Sequence, residues 1–184
     1  MRNLEEGYTI NMNDYPERGP YIHPTAVIGP NVEIGAGTYI GPFCIIGFPA
    51  EHKQFWPYPD GSGMIGRVVI GKNCVITGHV TIDASTTDEP TYIGHNVWML
   101  KHSHVGHDAF IGNDVTISCG AKIGGHTVIC PGCNIGLNAT IHQRVEIPHN
   151  CMIGMGAAVT KKLEMKDGRK YAGVPAKDIG PNTR

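Results

Sequence analysis

The chain has 184 residues, a formal charge of −1 and a charged fraction of 17%. The length suits a single domain, and the balanced charge argues against a general electrostatic surface for nucleic acid or anionic membranes. Two glutamates lie near the N-terminus where a secretory signal would be apolar, and no run approaches about 18 consecutive apolar residues. We therefore expect a cytoplasmic protein without a transmembrane segment.

Aliphatic residues recur every six positions along most of the chain, and a small residue follows each of them four positions later. Two inward positions in six do not fit the 3.6-residue period of a helix, but they fit a short strand followed by a corner. The pattern predicts an all-β solenoid in which three strands and three corners make a coil of 18 residues.

The repeat divides the chain into three parts. Residues 1–21 are predicted to be an N-terminal extension, residues 22–160 the solenoid, and residues 161–184 a basic C-terminal tail. Segments 48–63 and 83–92 interrupt the pattern and are predicted to project as loops, where substrate contacts tend to lie. The tail is predicted either to be solvated or to contact phosphates or an acidic carrier protein.

The cysteines follow the same repeat. Four of them occupy small inward positions, where other repeats have Ala, Val or Thr, so we predict buried apolar side chains and no disulfide framework. The pair in "CPGC" does not share a face, because Cys130 falls at an outward position and Cys133 at an inward one. The inward cysteines are Cys44, Cys74, Cys133 and Cys151.

A column of polar residues follows from the 18-residue coil. His107 is predicted to lie one coil below Gly125 and two coils below Gln143, while Asp108 lies below His126. A neutral imidazole can take a proton from a hydroxyl, a carboxylate can fix its tautomer, and a glycine N–H can approach an oxyanion closely. The column therefore contains the groups that acyl transfer from a thioester to a hydroxyl requires.

The motifs "SHVGHD", "IGGH" and "IHQ", preceded by "HPTAVIGPNVEIGAGTYIGPFCIIG", resemble the UDP-N-acetylglucosamine O-acyltransferases of lipid A biosynthesis. The resemblance implies a left-handed parallel β-helix and a homotrimer with clefts between subunits. It implies transfer of a (3-hydroxy)acyl group from acyl carrier protein to the 3-hydroxyl of UDP-N-acetylglucosamine or a similar sugar nucleotide. No metal and no cofactor are expected beyond the thioester co-substrate.

The same resemblance implies the roles of individual residues. His107 is expected to be the general base, Asp108 its partner, and Gly125 the donor of the backbone N–H that stabilises the oxyanion. The implied substrate contacts are His104, His126, His142 and Gln143, with Glu51 or His52 in the first loop.

Three other functions stay open. The chain ends near "YAGVPAKDIG", without the helical domain of the acyltransferases, and this ending is similar to hexapeptide acetyltransferases that use coenzyme A. An acetyl-CoA-dependent sugar O- or N-acetyltransferase is therefore one alternative. A zinc enzyme of the γ carbonic anhydrase type is another, because His102 and His107 have a suitable spacing for two ligands, although Asp83 stands where that family has a third histidine. The last is a non-catalytic binding module.

Overall fold

The structure is a computed structural model that describes residues 19–50 and 66–183. In these two ranges all regular secondary structure is β, and most strands have only two or three residues. The strands are β1 (Tyr21–Ile22), β2 (Val27–Ile28), β3 (Val32–Ile34), β4 (Tyr39–Ile40), β5 (Ile45–Phe48), β6 (Val68–Ile70), β7 (Val75–Ile76), β8 (Thr81–Asp83), β9 (Thr91–Ile93), β10 (Trp98–Met99), β11 (His104–Val105), β12 (Phe110–Ile111), β13 (Thr116–Ile117), β14 (Lys122–Ile123), β15 (Val128–Ile129), β16 (Asn134–Ile135), β17 (Thr140–Ile141), β18 (Glu146–Ile147), β19 (Met152–Ile153), β20 (Ala158–Val159), β21 (Arg169–Ala172) and β22 (Lys177–Pro181).

Up to β20, every third strand joins the same sheet, so each coil contributes one strand to each of three sheets. Sheet 1 is β1-β4-β7-β10-β13-β16-β19-β21-β22, sheet 2 is β2-β5-β8-β11-β14-β17-β20, and sheet 3 is β3-β6-β9-β12-β15-β18. Neighbouring coils pair in parallel, and Trp98 lies beside Thr116, 18 residues later. The predicted all-β solenoid of 18-residue coils is confirmed.

Aliphatic side chains fill the interior of the prism. The aliphatic residues of the six-residue pattern between Ile40 and Val159 are at most 3% exposed. They stack directly on one another, as Val105 does between Ile82 and Ile123. Burial of this continuous column, together with the backbone hydrogen bonds between coils, stabilises the solenoid. The four cysteines predicted to point inward are buried, and all six cysteines are free thiols.

The corners of the prism take up left-handed backbone conformations. Asp108 has a φ of 57° and His126 a φ of 56°, at equivalent positions of successive coils. Asn, Asp, His and Gly tolerate this region better than other residues, so the corner positions are rich in them. Polar side chains are consequently lined up along the edges of the prism, and the catalytic candidates are among them.

Both interruptions fall in the chain between a strand of sheet 2 and the following strand of sheet 3. The projecting segment between β8 and β9 is 84–90, narrower than the predicted 83–92, because Asp83 still pairs with Phe48 and Thr91 begins β9. Most of the first predicted loop, 48–63, lies outside the described residues. The described ranges contain no helix that is long and apolar enough to cross a membrane.

The C-terminal segment extends sheet 1. Strand β21 pairs in parallel with β19, and β22 turns back on it as an antiparallel hairpin. Tyr171 in β21 is 1% exposed, and its hydroxyl accepts a hydrogen bond from the Lys166 N–H at 2.8 Å. Arg169 and Asp178 form an ion pair at 2.8 Å across the hairpin. The segment that was predicted only as a basic tail therefore contains two strands that extend sheet 1.

Candidate active site

The candidate catalytic residues lie on the edge between sheets 2 and 3. His107 follows β11. The next coil in the C-terminal direction lies above it, and the equivalent corner of that coil follows β14. The His126 N–H donates a hydrogen bond to the carbonyl of His107 at 2.8 Å, which ties the two corners together. The structure therefore brings together the predicted pairs, with Gly125 above His107 and His126 above Asp108.

His107 is oriented by the carboxylate of its neighbour. Its Nδ1 atom lies 2.6 Å from Oδ2 of Asp108, and the two side chains are 26% and 5% exposed, respectively. Because an ionised carboxylate only accepts hydrogen bonds, Nδ1 carries the proton and Nε2 of the neutral ring has a free lone pair. The atom that can act as a base is thus fixed at the far end of the ring.

Asp108 is itself held by the projecting segment 84–90. It accepts hydrogen bonds from the N–H and Oγ1 of Thr86 at 2.8 and 2.6 Å, and from the N–H and Oγ1 of Thr87 at 3.1 and 2.9 Å. Burial by itself raises the pKa of this carboxyl, but the hydrogen bonds from His107, Thr86 and Thr87 outweigh burial and hold its pKa well below the usual range. Asp108 is therefore a firmly held anion.

Sequence analysis did not identify Thr86 and Thr87. The available signal was the "STT" run in an insertion that begins at the end of β8, one coil below Asp108. The backbone of Asp108 is also fixed, because its N–H donates to Oγ1 of buried Thr91 at 2.8 Å.

Gly125 lies against the imidazole ring of His107. A β-carbon added at Gly125 would be 2.7 Å from Nε2 of His107, so only glycine leaves room for the ring in this position. A β-carbon at Gly106 would be 2.8 Å from the Gly125 nitrogen. Within residues 19–50 and 66–183, no hydrogen-bond acceptor is in reach of the Gly125 N–H. This N–H is therefore available to a ligand beside Nε2.

An open groove of about 810 Å³ runs along sheet 2 and ends at these residues. Apolar side chains line the part formed by the lower coils, and polar side chains line the part beside His107. The apolar part consists of Val27, Ile45, Phe48 and Pro49, and the polar part of Thr81, Asp83, His104 and Lys122, with Gly106, His107 and Gly125 at the corner.

His104, predicted to line the substrate cleft, lies in the polar part of this groove. Its Nδ1 atom is 2.8 Å from Oγ1 of Thr81, and its Nε2 atom is 3.7 Å from Oδ2 of Asp83. Sequence analysis did not identify this pairing, since the insertion between β8 and β9 shifts the register by five residues beyond the regular coil.

His126 approaches Asp108 from the coil above. Its Nε2 atom is 3.5 Å from Oδ2 of Asp108, and its ring meets that of His107 edge to face, with centroids 5.0 Å apart. Burial lowers the pKa of His126 most, the carboxylate of Asp108 raises it, and the guanidinium of Arg144 lowers it further. His126 is therefore biased towards the neutral form.

The remaining predicted contacts lie farther from the groove or outside the description. His142 and Gln143 are exposed on the second coil above His107, and Nδ1 of His142 is 2.9 Å from the Gln143 carbonyl. Neither belongs to the described lining of the groove. Glu51 and His52 fall outside the described residues.

The histidines also allow a metal site to be tested. In the described ranges, His107, Asp108 and His126 place one ligand atom each within 4.8 Å of one another. The Asp108 oxygens, however, already accept the hydrogen bonds of Thr86 and Thr87. His102 stacks on His79 with ring centroids 4.9 Å apart, on the edge between sheets 1 and 2. His102 and His107, the pair that suggested zinc, therefore lie on different edges and cannot share an ion within one chain.

Comparison with known families agrees with the architecture. Residues 17–47 match the model for the bacterial transferase hexapeptide (six repeats), and residues 126–161 match the hexapeptide repeat of succinyl-transferase. Together with the three parallel sheets, these matches support a left-handed parallel β-helix fold.

Individual relatives show which transferases the chain resembles. The chain is 34% identical to the acyl-[acyl-carrier-protein]–UDP-N-acetylglucosamine O-acyltransferase of Brucella ovis, over 48% of this chain and 44% of that protein. The UDP-N-acetylglucosamine acyltransferase structure from Bacteroides fragilis superimposes with a TM-score of 0.81 at 27% identity, covering 90% of this chain and 62% of that one. The Campylobacter jejuni enzyme shares the fold, with a TM-score of 0.69 at 22% identity, over 88% and 75% of the two chains. The chain spans about half the length of the curated relatives it matches. The predicted resemblance to these acyltransferases is confirmed.

Proposed function

We propose that this chain transfers an acyl group from a thioester to a hydroxyl of a sugar nucleotide, with UDP-N-acetylglucosamine as the acceptor. The observation that carries the proposal is the arrangement around His107. Its Nδ1 is held by Asp108 at 2.6 Å, while its Nε2 lies beside Gly125, which lines the groove and whose N–H donates to no described residue. The names of the relatives support the same reaction.

In this reaction His107 acts as the general base. Its Nε2 takes the proton of the acceptor hydroxyl as the oxygen attacks the thioester carbonyl carbon. The Gly125 N–H stabilises the negative oxygen of the tetrahedral intermediate, and Asp108 stabilises the imidazolium. When the carbon–sulfur bond breaks, His107 returns the proton to the leaving thiolate. The products are an ester and a free thiol, and no acyl-enzyme is formed.

The groove indicates which donor fits. Its lower part is formed by apolar side chains, including Val27, Ile45 and Phe48, which can bury the methylenes of an acyl chain at about 0.8 kcal/mol each. An acetyl group would leave this surface unused. We therefore favour a 3-hydroxyacyl group carried by acyl carrier protein over acetyl-CoA.

We also propose that the working form is a homotrimer. Large apolar side chains are exposed on the flat faces of the prism, among them Trp98 at 50% and Phe110 at 44%. An assembly of three copies would cover such faces and turn the open groove into a closed cleft. The molar mass in solution, measured by light scattering, tests this part.

A donor screen against UDP-N-acetylglucosamine tests the reaction. We expect turnover with 3-hydroxyacyl thioesters of acyl carrier protein and a rate at least tenfold lower with acetyl-CoA. Turnover with acetyl-CoA alone would instead favour the sugar acetyltransferase. No turnover with either donor would contradict the proposed function.

A further inference from the structure

Three cationic side chains stand above the catalytic corner, on the same edge of the prism. The Arg144 N–H donates to the carbonyl of Gly125 at 2.9 Å, which places Arg144 one coil above the candidate oxyanion donor. Strand β20 pairs with β17 so that Val159 lies beside Ile141. This register places Lys161 above Gln143 and Lys162 above Arg144. The edge that carries His107 therefore continues upward as a cationic column.

Few acidic groups of the described residues lie near these cations. Arg144 and Lys161 line a second cavity of about 340 Å³, in which Glu146 is the one carboxylate among the described lining residues. None of the three cations forms an ion pair with a described residue. By contrast, Arg169 is held by Asp178 at 2.8 Å. Counted over the described residues, the column thus has a net positive charge.

The charge of Arg144 reaches the catalytic cluster. Burial is the main cause that lowers the pKa of His126, Asp108 opposes it, and the nearby guanidinium of Arg144 adds to the lowering. Successive coils are about 4.8 Å apart, so the backbone of Arg144 lies roughly 10 Å above that of His107. A substrate that reacts at His107 and extends upward along this edge therefore meets Arg144 first and the two lysines next.

We propose that Arg144, Lys161 and Lys162 form an anion site for the phosphate groups of the substrate bound at His107. The inference rests on the proposed function for its substrate class. Both substrates carry phosphate, namely the diphosphate of the sugar nucleotide and the phosphopantetheine phosphate of the donor. The first is attached to the same sugar ring as the reacting hydroxyl and is the nearer to His107. Arginine suits it, since a guanidinium binds two phosphate oxygens at once.

Binding measurements without turnover test this site. The variants are Arg144→Gln and the double variant Lys161→Gln/Lys162→Gln. The matched control is Lys72→Gln, an exposed lysine on the edge between sheets 3 and 1. Calorimetry would give Kd values for UDP, uridine and coenzyme A. We expect Arg144→Gln to weaken UDP binding roughly 10- to 100-fold, the usual effect of losing a charge-assisted hydrogen bond. The Kd of uridine should be unchanged.

The two sources of phosphate give different results. Weaker binding of UDP with unchanged binding of coenzyme A assigns the site to the sugar nucleotide. The reverse result assigns it to the phosphopantetheine arm. Kd values within twofold of the native protein for both ligands, in both variants, would overturn the proposal. Thermal melting of each variant shows that the fold is intact, and the lysine pair provides a second test if Arg144→Gln unfolds.

Kinetics separate this inference from the proposed function. If acyl transfer is observed, Arg144→Gln should raise KM for the phosphate-bearing substrate by a similar factor with kcat little changed, because the lost contact is made equally in ground and transition states. If transfer is absent but UDP binding depends on Arg144, the anion site stands while the proposed reaction fails. If transfer is present with unchanged KM and Kd, the reaction stands and the anion site fails.

Discussion

The Nε2 atom of His107 occupies the space that a β-carbon on Gly125 would need, with only 2.7 Å between the two positions. This contact places the candidate base next to a backbone N–H without any side chain between them. The two residues are 18 positions apart, so the arrangement is a direct product of the coil length. This contact predicts the effects of substitutions at Gly125 and Gly106.

The first concerns Gly125. Gly125→Ala should push the imidazole away from its position and reduce kcat on the order of 100-fold, as small misplacements of catalytic groups do. Gly136→Ala is a matched control, because its β-carbon would also clash, at 2.6 Å from the Ile153 carbonyl, on a different edge. Equal loss of activity per folded molecule in both variants would mean that general destabilisation is responsible.

Gly106 gives a separate test of the oxyanion site. Its substitution by alanine places a methyl group about 2.8 Å from the Gly125 nitrogen and should cover this donor. Loss of one oxyanion donor costs about 10²- to 10³-fold in kcat. Gly94→Ala is similarly crowded, 2.8 Å from the Asn113 nitrogen, but lies on another edge, and it should retain its kcat. A Gly106→Ala enzyme with native kcat would remove the Gly125 N–H from the mechanism.

The low pKa of Asp108 predicts the pH dependence of stability. A carboxyl whose pKa is lower in the folded state stabilises the protein above its unfolded pKa of about 3.9, and this contribution is lost as the pH falls below that value. The free energy of unfolding, measured in urea between pH 3 and 7, should therefore fall less steeply with acid in Asp108→Asn than in the native protein. Asp88→Asn, an exposed position in the same loop, should behave like the native protein. Identical acid profiles for Asp108→Asn and the native protein would contradict the role of its hydrogen bonds.

Thr86 is expected to position Asp108 without touching substrate. Thr86→Val keeps the shape of the side chain but removes a donor that lies 2.6 Å from Oδ2. We expect kcat to fall roughly tenfold and the free energy of unfolding to drop by about 1.5–3 kcal/mol at neutral pH. The drop should persist at pH 4, because the low pKa of Asp108 keeps its carboxylate ionised in the folded protein. Thr116→Val, on the outer face of sheet 1, is the control. A loss of stability with native kcat would indicate a packing effect alone.

The fold and the vertical order of the site were predictable because both follow from one period. Once Val105 and Ile123 are recognised as stacked interior residues, His107 must lie below Gly125 and Asp108 below His126. The same 18-residue spacing places Arg144 above His126 and Lys162 above Arg144, although their role was inferred only from the structure.

The parts outside the repeat could not be predicted in this way. Thr86 and Thr87 belong to an insertion whose path is decided by hydrogen bonds to Asp108, and no periodicity in the sequence specifies that path. The C-terminal segment reads as a charged tail, yet burial of Tyr171 and the pairing of β21 with β19 hold it on the prism. Both are tertiary contacts between segments with no shared pattern.

The proposed reaction depends on His107 as the general base. The most direct measurement is the kcat of His107→Ala with UDP-N-acetylglucosamine and a 3-hydroxyacyl thioester of acyl carrier protein, beside His102→Ala as the control on another edge. We predict a kcat loss of about 10²- to 10⁴-fold for His107→Ala, the usual contribution of a general base, and a native kcat for His102→Ala. His107→Ala should melt at a lower temperature than the native protein, because it loses the hydrogen bond to Asp108, but it should remain folded at the assay temperature. A folded His107→Ala protein that turns over within a few-fold of the native rate would contradict the mechanism.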